Sequence, residues 1–145
     1  MDMYHYTECG LSNVWLRNGF SIKNYDGQQA VAISDADQLH QVIGRALANK
    51  PYLRATELRF LRKELGLSQA RLAALLGSTE QTVSLWERKG RIPKGHDRLI
   101  RLLYLEKIDG NVKIQQMIDR LIDMDRKDAE KLVFSDTRAG WKMAA

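Results

Sequence analysis

The clearest alternation of apolar and polar positions lies between residues 66 and 89. Apolar residues recur there at helical spacing on both sides of a break: Leu72, Leu75, Leu76, Val83 and Trp86. Gly77 marks the break, because glycine readily adopts the left-handed backbone that ends a helix. The pattern therefore predicts two helices, Gln69–Leu76 and Glu80–Arg88, joined by a tight turn.

Helices joined by so short a turn cross steeply, and their backbones approach closely. Ser68 and Thr79 supply hydroxyls that can cap the two helices, and Ala73 suits the close contact. The inward apolar residues leave a mostly polar set on the outside of the second helix: Thr79, Glu80, Gln81, Ser84, Leu85 and Arg88. Such a helix is suited to a groove of another molecule rather than to a core.

Further helices are predicted on both sides of this pair. Leu58, Leu61 and Leu65 predict a helix that opens at Arg54 or Thr56 and runs to about Leu65. The other periodic stretches are Asp35–Ala48, which begins after Ser34 with Leu39, Val42, Ile43, Ala46 and Leu47 on one face and ends before Pro51, His96–Lys107, and Asn111–Val133. The helix His96–Lys107 is apolar on nearly all sides, which indicates that it meets a partner as well as its own core.

Before residue 34 the pattern indicates strands. Asn13–Phe20 and Ala30–Ile33 are apolar runs separated by turn residues at Asn24–Gly27, which predicts a hairpin. An isolated hairpin is marginal in water, so we expect it to pack against the rest of the chain. From Phe134 onward there is no periodicity, and Trp141 is either docked or part of a frayed tail.

These elements predict a mainly α protein in three parts. Residues 1–50 form an N-terminal module of a small β-hairpin plus a helix, which is a candidate for binding a partner. Residues 51–108 form a helical bundle around the helix pair, and residues 109–145 form a C-terminal helix and tail.

Positive charge is concentrated on the segment with the helix pair. Residues 54–107 carry twelve Lys or Arg against six Asp or Glu, whereas the counts are four against five in residues 1–53 and seven against seven in residues 108–145. Such a concentration of charge can simply mark a surface in contact with water. Here, however, the basic residues lie beside a helix suited to a groove, which favours a nucleic-acid partner.

Other functional classes find no support in the sequence. No stretch approaches about 18 consecutive apolar residues, and none follows the N-terminal Met-Asp-Met, so we expect a cytoplasmic protein without a membrane segment. The single cysteine, Cys9, agrees with a reducing compartment. Because there is no glycine-rich phosphate loop or metal-spaced cluster, and His5, His40 and His96 are scattered, we expect neither an enzyme nor a cofactor.

The helix pair carries residues of a known pattern: Leu65-Gly66-Leu67-Ser68-Gln69, Leu72-Ala73, Leu76-Gly77, Thr82-Val83-Ser84 and Trp86-Glu87. On these residues the segment from Ala55 to about Leu105 resembles the Cro/C1-type (XRE) helix-turn-helix domain of phage repressors. The resemblance implies a lambda-repressor-like bundle of about five helices whose third helix enters the major groove of DNA. Ser78 departs from the pattern, which usually has an apolar residue there.

The resemblance also implies which residues contact bases: Thr79, Glu80, Gln81, Ser84 and Leu85. Gln81 is the expected principal base reader, because a Gln amide can pair bidentately with adenine. The Glu80 carboxylate can accept a hydrogen bond from cytosine, or can simply sit at the helix N-terminus, where the dipole favours an anion.

Phosphate contacts are expected beside the base contacts. Ser68 and Gln69 lie at the start of their helix, where the N-terminus favours a phosphate. Four basic residues lie near the turn that follows the second helix, where they could hold the phosphates of the DNA backbone: Arg88, Lys89, Arg91 and Lys94. The resemblance further implies an ion pair between Arg62 and Glu87 that orients the second helix; the alternative is two solvated charges.

The N-terminus is similar to a second group of proteins. Tyr6-Thr7-Glu8-Cys9-Gly10-Leu11 and Asn13-Val14-Trp15-Leu16 look like the start of the zinc-finger/helix-turn-helix antitoxins, which join a Cys-x-x-Cys zinc module to a Cro/C1-type domain. Tyr6 stands at the first cysteine position, and His5 and Cys9 alone are too few for a structural zinc, so we expect no metal.

The sequence therefore predicts a sequence-specific transcription regulator that binds a pseudo-palindromic operator as a homodimer. The antitoxin resemblance implies that it represses its own operon and blocks a toxin protein, with the N-terminal module, Trp15 and Phe20 included, as the toxin-binding part. Two alternatives stay open: a plain phage-type or host repressor without a toxin partner, and a protein-binding inhibitor whose DNA binding is secondary.

Overall fold

The computed structural model describes residues 3–110, 116 and 134–143. Within these residues the elements, in chain order, are β1 (Tyr4–His5), β2 (Trp15–Leu16), β3 (Phe20–Tyr25), β4 (Gln28–Ile33), α1 (Ala36–Ala48), α2 (Ala55–Glu64), α3 (Gln69–Leu76), α4 (Glu80–Lys89), α5 (Lys94–Ile108), β5 (Phe134–Thr137) and β6 (Gly140–Met143). The strands pair as three two-stranded antiparallel sheets, β1–β2, β3–β4 and β5–β6. The predicted mainly α fold, a helical bundle with a small N-terminal hairpin, is confirmed.

The N-terminal hairpin differs from its predicted boundaries. β3 and β4 pair around a two-residue turn at Asp26 and Gly27, both with positive φ, as such hairpin turns require. Trp15 and Leu16, assigned from the sequence to the first hairpin strand, instead pair with β1. The prediction that Asn13–Phe20 forms the first hairpin strand was wrong. The apolar run in that segment belongs to the β1–β2 sheet, whereas β3 is an exposed strand in which apolar and polar residues alternate.

α1 begins one residue later than predicted, and its buried face is rotated. Asp35 caps the helix, because its carboxylate accepts a hydrogen bond from the Gln38 amide at 3.3 Å. Of the predicted apolar face, Val42 and Ala46 are exposed and Leu39 is half-buried. The buried residues are Ile43, Gly44, Leu47 and Ala48.

Small residues on α1 allow a close contact with α5. A Cβ added to Gly44 would lie 2.1 Å from the Tyr104 hydroxyl oxygen, so only glycine fits there without movement of the ring. Tyr104 is 1% exposed and donates to the His40 carbonyl oxygen at 3.4 Å. One side of α5 therefore packs against α1, whereas Leu102 on the same helix remains 43% exposed.

A single hydrophobic cluster runs through the described residues. From α2 to α5 it contains Leu58, Phe60, Leu61, Leu65, Leu72, Ala73, Leu76, Val83, Trp86, Ile100 and Tyr104. From the first 50 residues it contains Tyr6, Leu11, Leu16, Ile43, Leu47 and Ala48. The N-terminal module, residues 3–50 of the described chain, thus shares its core with the bundle; the domain boundary at residue 50 stays a prediction.

The connection between α1 and α2 is held by two buried carboxylates. Asp97 accepts hydrogen bonds from the Leu53 amide at 2.7 Å and from the Arg101 guanidinium at 2.6 Å. Glu57 accepts from the Arg54 amide at 2.8 Å and from Lys50 at 2.5 Å. Because both carboxylates are at most 4% exposed and fully paired, they fix the chain where α2 begins.

The C-terminal region shows one correction. Residues predicted as an irregular tail form the β5–β6 hairpin, in which Trp141 pairs with Asp136 and is 73% exposed. The predicted helix Asn111–Val133 lies outside the described residues except for Gln116.

Candidate nucleic-acid interface

The turn between α3 and α4 is built by local hydrogen bonds. The Ser68 hydroxyl accepts from the Arg71 amide at 3.0 Å, and the Thr79 hydroxyl accepts from the Thr82 amide at 3.2 Å, which caps the two helices. Gly77 ends α3 with a φ of 67°, and the Ser78 amide donates to the Ala73 carbonyl oxygen at 2.8 Å. These bonds satisfy some of the backbone groups that the helix ends leave free and fix the course of the chain between α3 and α4.

α4 has two distinct sides. Val83 and Trp86 are buried, at 0% and 6% exposure, and hold the helix against the core. The opposite side, called here the outer face of α4, consists of Thr79, Glu80, Gln81, Ser84 and Leu85; Ser84 is half-buried and the other four are exposed. Every base-contacting residue expected from the sequence therefore lies on one accessible face of a firmly packed helix.

A buried ion pair ties α4 to α2. The Arg62 guanidinium donates to both oxygens of Glu87, at 2.6 and 2.9 Å, and the two side chains are 11% and 4% exposed. Arg62 also donates to the Leu67 carbonyl oxygen at 3.0 Å. A bidentate pair removed from water fixes both separation and orientation, so α4 cannot rotate without breaking it.

A family model described as Helix-turn-helix matches residues 58–97, which contain α3, α4 and the ion pair. Residues 58–97 are thus a helix-turn-helix segment, in agreement with the Cro/C1-type resemblance of the sequence. Proteins with this domain are DNA-binding transcription regulators. Neither the curated proteins nor the solved structures contain a match to the chain.

Within the helix-turn-helix domain, Gln69 lies closer to the ion pair than the sequence indicated. Its amide nitrogen donates to Glu87 at 3.2 Å. Gln69 lines a shallow surface pocket together with Glu80, Gln81, Ser84 and Arg88. The structure therefore brings one expected phosphate contact next to the expected base contacts, and one of its two N–H donors is already engaged.

Basic residues occupy the last turn of α4 and the connection that follows it. Arg88, Lys89 and Arg91 are exposed, and Arg88 donates to the Ser84 carbonyl oxygen at 3.4 Å. Arg91 has a φ of 62°, a left-handed backbone that costs a non-glycine residue about 1 kcal/mol or more. Lys94, assigned from the sequence to the turn, is the first residue of α5 and is exposed.

Arg54 is a basic residue that the sequence did not single out as a DNA contact. It precedes α2 and lines one surface pocket with Lys89 and Arg91. A Cβ on Gly90 would lie 3.9 Å from the Ala55 nitrogen, so the turn after α4 reaches the start of α2. Thirty-five positions separate Arg54 from Lys89 in the sequence, and only the fold joins them.

The N-terminal module meets the helix-turn-helix domain through a chain of polar side chains. The Tyr6 hydroxyl is 2.8 Å from His40 Nε2, and His40 Nδ1 is 2.9 Å from Glu64 on α2. Burial raises the pKa of the Tyr6 phenol, so Tyr6 stays neutral and can donate to His40. The side chain at the first cysteine position of the resembled zinc module is thus used for packing and hydrogen bonding.

The residues that the structure describes do not form a metal-binding site. Cys9 Sγ donates to the Tyr6 carbonyl oxygen at 3.3 Å, and His5 Nε2 is 2.6 Å from the Ser12 carbonyl oxygen. No group of three or more His, Cys, Asp or Glu side chains within residues 3–110, 116 and 134–143 could hold an ion. In the same part of the chain no helix is both long and apolar enough to cross a membrane.

Proposed function

We propose that the protein is a sequence-specific repressor that contacts its operator with the outer face of α4. The observation that carries this proposal is the combination of an exposed polar face with a support that cannot rotate: Val83 and Trp86 behind it and the Arg62–Glu87 pair at its end. DNA readout requires side chains held in a fixed position, since one base pair differs from another by a few hydrogen-bonding groups.

Each expected contact has a chemical role. Gln81 pairs with adenine, Thr79 and Leu85 offer methyl groups to thymine, and Glu80 and Ser84 hydrogen-bond the neighbouring base edges. Phosphates lie against two groups of residues. One is Ser68 with Gln69 at the start of α3; the other is basic and consists of Arg88, Lys89, Arg91 and Lys94 with the added Arg54.

The proposed repressor acts as a homodimer. One outer face contacts only a few base pairs, which is too few to select one site in a genome. Two copies of α4 about 34 Å apart would enter successive major grooves on one side of the DNA.

Footprinting and salt-controlled binding on the DNA upstream of the protein's own gene test this proposal. We expect a protected pseudo-palindrome that is bound at least about 1,000 times more tightly than random DNA of equal length. Equal affinity for both DNAs at every salt concentration would contradict a sequence-specific repressor.

An antitoxin function is the second candidate, and the N-terminal module supports it. Trp15 is 55% exposed and stacked on His5 at a ring distance of 4.0 Å, so a rigid aromatic platform faces solvent. Phe20, the other aromatic residue expected to bind a toxin, is half-buried against Tyr4 at 5.3 Å. Exposed aromatic side chains are typical anchors of protein interfaces.

Binding of the adjacent gene's product distinguishes an antitoxin from a plain repressor. We expect that product to bind the full-length protein, and Trp15→Ala to weaken the complex while operator binding is retained. Gln81→Ala is the matched control, since it should weaken operator binding alone. A product that binds neither protein nor protein–DNA complex would favour a plain repressor.

A further inference from the structure

The β3–β4 hairpin has an unpaired edge that is unusually open. The Ser34 amide donates to the Gly19 carbonyl oxygen at 2.8 Å. Beyond this bond the strands pair without a gap, from Phe20 opposite Ile33 to Tyr25 opposite Gln28. Antiparallel pairs alternate between hydrogen-bonded and non-bonded, so β4 turns the backbone groups of every second residue away from β3. Those residues are Gln29, Val31 and Ile33.

These outward groups have no partner in the described chain. No backbone hydrogen bond outside the strands, and no side-chain hydrogen bond among the described residues, uses Gln29, Val31 or Ile33. Among the described strands the sheet has two, β3 and β4, and no third described strand continues it beyond β4. A row of unpaired N–H and C=O groups is a template for another strand.

The two edges of the hairpin differ in how they resist such pairing. β3 carries Lys23, and a lysine on an edge strand discourages contact with a second strand. β4, with the sequence QQAVAI, has no charge, no proline and no bulge. The β4 edge is therefore the one open to a partner.

We propose that a second copy of this chain pairs with β4, with Val31 on the two-fold axis. In that antiparallel register Val31 faces its own copy, Ala30 faces Ala32, and Gln29 faces Ile33, so no charge or bulky pair is opposed. The outward groups of Gln29, Val31 and Ile33 then form about six backbone hydrogen bonds, and a four-stranded sheet results.

Charge and surface also favour a second copy over a foreign peptide. Residues 1–53 carry four Lys or Arg against five Asp or Glu, whereas the excess of basic residues lies in residues 54–107, so charge repulsion between two copies is small at this end. Ile22 is 47% exposed beside half-buried Val31, and pairing would place these apolar side chains of both copies together.

A proline at Val31 tests the interface in the full-length protein. It removes the outward N–H donor and leaves the β3–β4 ladder intact, since that amide does not bond to β3. Asn24→Pro is the matched control, because it removes an outward donor on the β3 edge. In sedimentation equilibrium we expect the wild type and Asn24→Pro to dimerise alike and Val31→Pro to raise the dimer dissociation constant about tenfold or more.

Cysteine cross-linking gives a second readout that does not depend on proline. In a Cys9→Ser background, Val31→Cys should form a disulfide-linked dimer on mild oxidation, because self-paired residues in such a ladder have Cα atoms about 5.5 Å apart. Asn24→Cys should not. A monomeric wild type, a dimer that Val31→Pro leaves unchanged, or equal cross-linking at both positions would overturn the proposal.

The inference rests on the proposed function only in that a repressor dimer needs an interface, and the two can fail separately. A dimer that binds its operator and is unaffected by Val31→Pro overturns the interface and leaves the repressor in place. A dimer cross-linked through residue 31 that shows no preference for any operator supports the interface and contradicts the repressor.

Discussion

The helix-turn-helix domain and the N-terminal module share one core but differ in what they expose. In the domain, the buried ion pair of Arg62 with Glu87 holds α4 in place, and the exposed face of that helix is mostly polar. In the module, the β3–β4 hairpin has exposed or half-buried residues on both strands, and the backbone groups along its outer edge have no partner within the described part of the chain. Rigid polar side chains suit DNA, whereas an open edge and exposed aromatic residues suit a protein.

The two regions are nevertheless joined tightly. Gly44 lies against Tyr104, and Tyr6 is linked through His40 to Glu64. A change in the N-terminal module can therefore reach Glu64, the last residue of α2, and Tyr104 on α5.

Arg62→Ala should have the largest effect on the helix-turn-helix domain. It leaves the Glu87 carboxylate, 4% exposed, without its charged partner, and such losses cost about 3 to 5 kcal/mol. Arg59→Ala, an exposed arginine on the same helix, should change stability by no more than about 0.5 kcal/mol. Denaturant unfolding of both variants checks this, and equal small losses would show that the pair does not hold α4.

Alkaline pH should weaken the junction between the two regions. Burial raises the pKa of Tyr104 to about 12, against 10.0 for a free phenol. The contribution of the neutral Tyr104 phenol to the free energy of unfolding is complete below pH 10. This contribution, up to about 2 to 3 kcal/mol, is lost as the pH rises to about 12 and beyond. The free energy of unfolding, measured across this pH range, should depend much less on pH in Tyr104→Phe than in the wild type. Tyr25→Phe should keep the wild-type pH dependence, since Tyr25 is 62% exposed.

Gly44→Ala should disturb the same junction by steric overlap. The new methyl group would overlap the Tyr104 ring, and overpacking of this kind costs about 1 to 3 kcal/mol. Gly95→Ala is the control, because a Cβ there meets nothing within 4 Å. Thermal unfolding should separate the two variants; a Gly44→Ala protein as stable as the control would mean that α1 and α5 are not in close contact.

Arg54→Gln should have the smallest effect, confined to DNA binding. If Arg54 contacts a phosphate, as we propose for Lys89 and Arg91, its loss lowers the slope of log affinity against log salt by about one unit on any DNA. Arg17→Gln in the N-terminal module should leave the slope unchanged. A normal slope for Arg54→Gln would remove this residue from the interface.

Local signals made the centre of the molecule predictable. α3 was predicted with its observed ends and α4 to within one residue, because Ser68, Gly77 and Thr79 act on neighbouring backbone groups. The inward position of Val83 and Trp86 followed from helical spacing alone. Caps and periodicity need no knowledge of the rest of the fold.

Features that depend on distant contacts could not be predicted in the same way. The rotated face of α1 follows from the Tyr104 ring, which requires Gly44 opposite it. The pocket that joins Arg54 to Lys89, and the bond from Gln69 to Glu87, arise only when helices far apart in sequence meet. The strand Phe20–Tyr25 was missed because exposed strands lack a continuous apolar run.

The central claim is that the outer face of α4 contacts bases, and Gln81→Ala tests it most directly. Gln81 is exposed, so the variant should be about as stable as the wild type. We predict a loss of about 1 to 3 kcal/mol in binding to the footprinted operator and almost none on random DNA at the same salt concentration. An equal loss on both DNAs, or no loss on either, would contradict the claim.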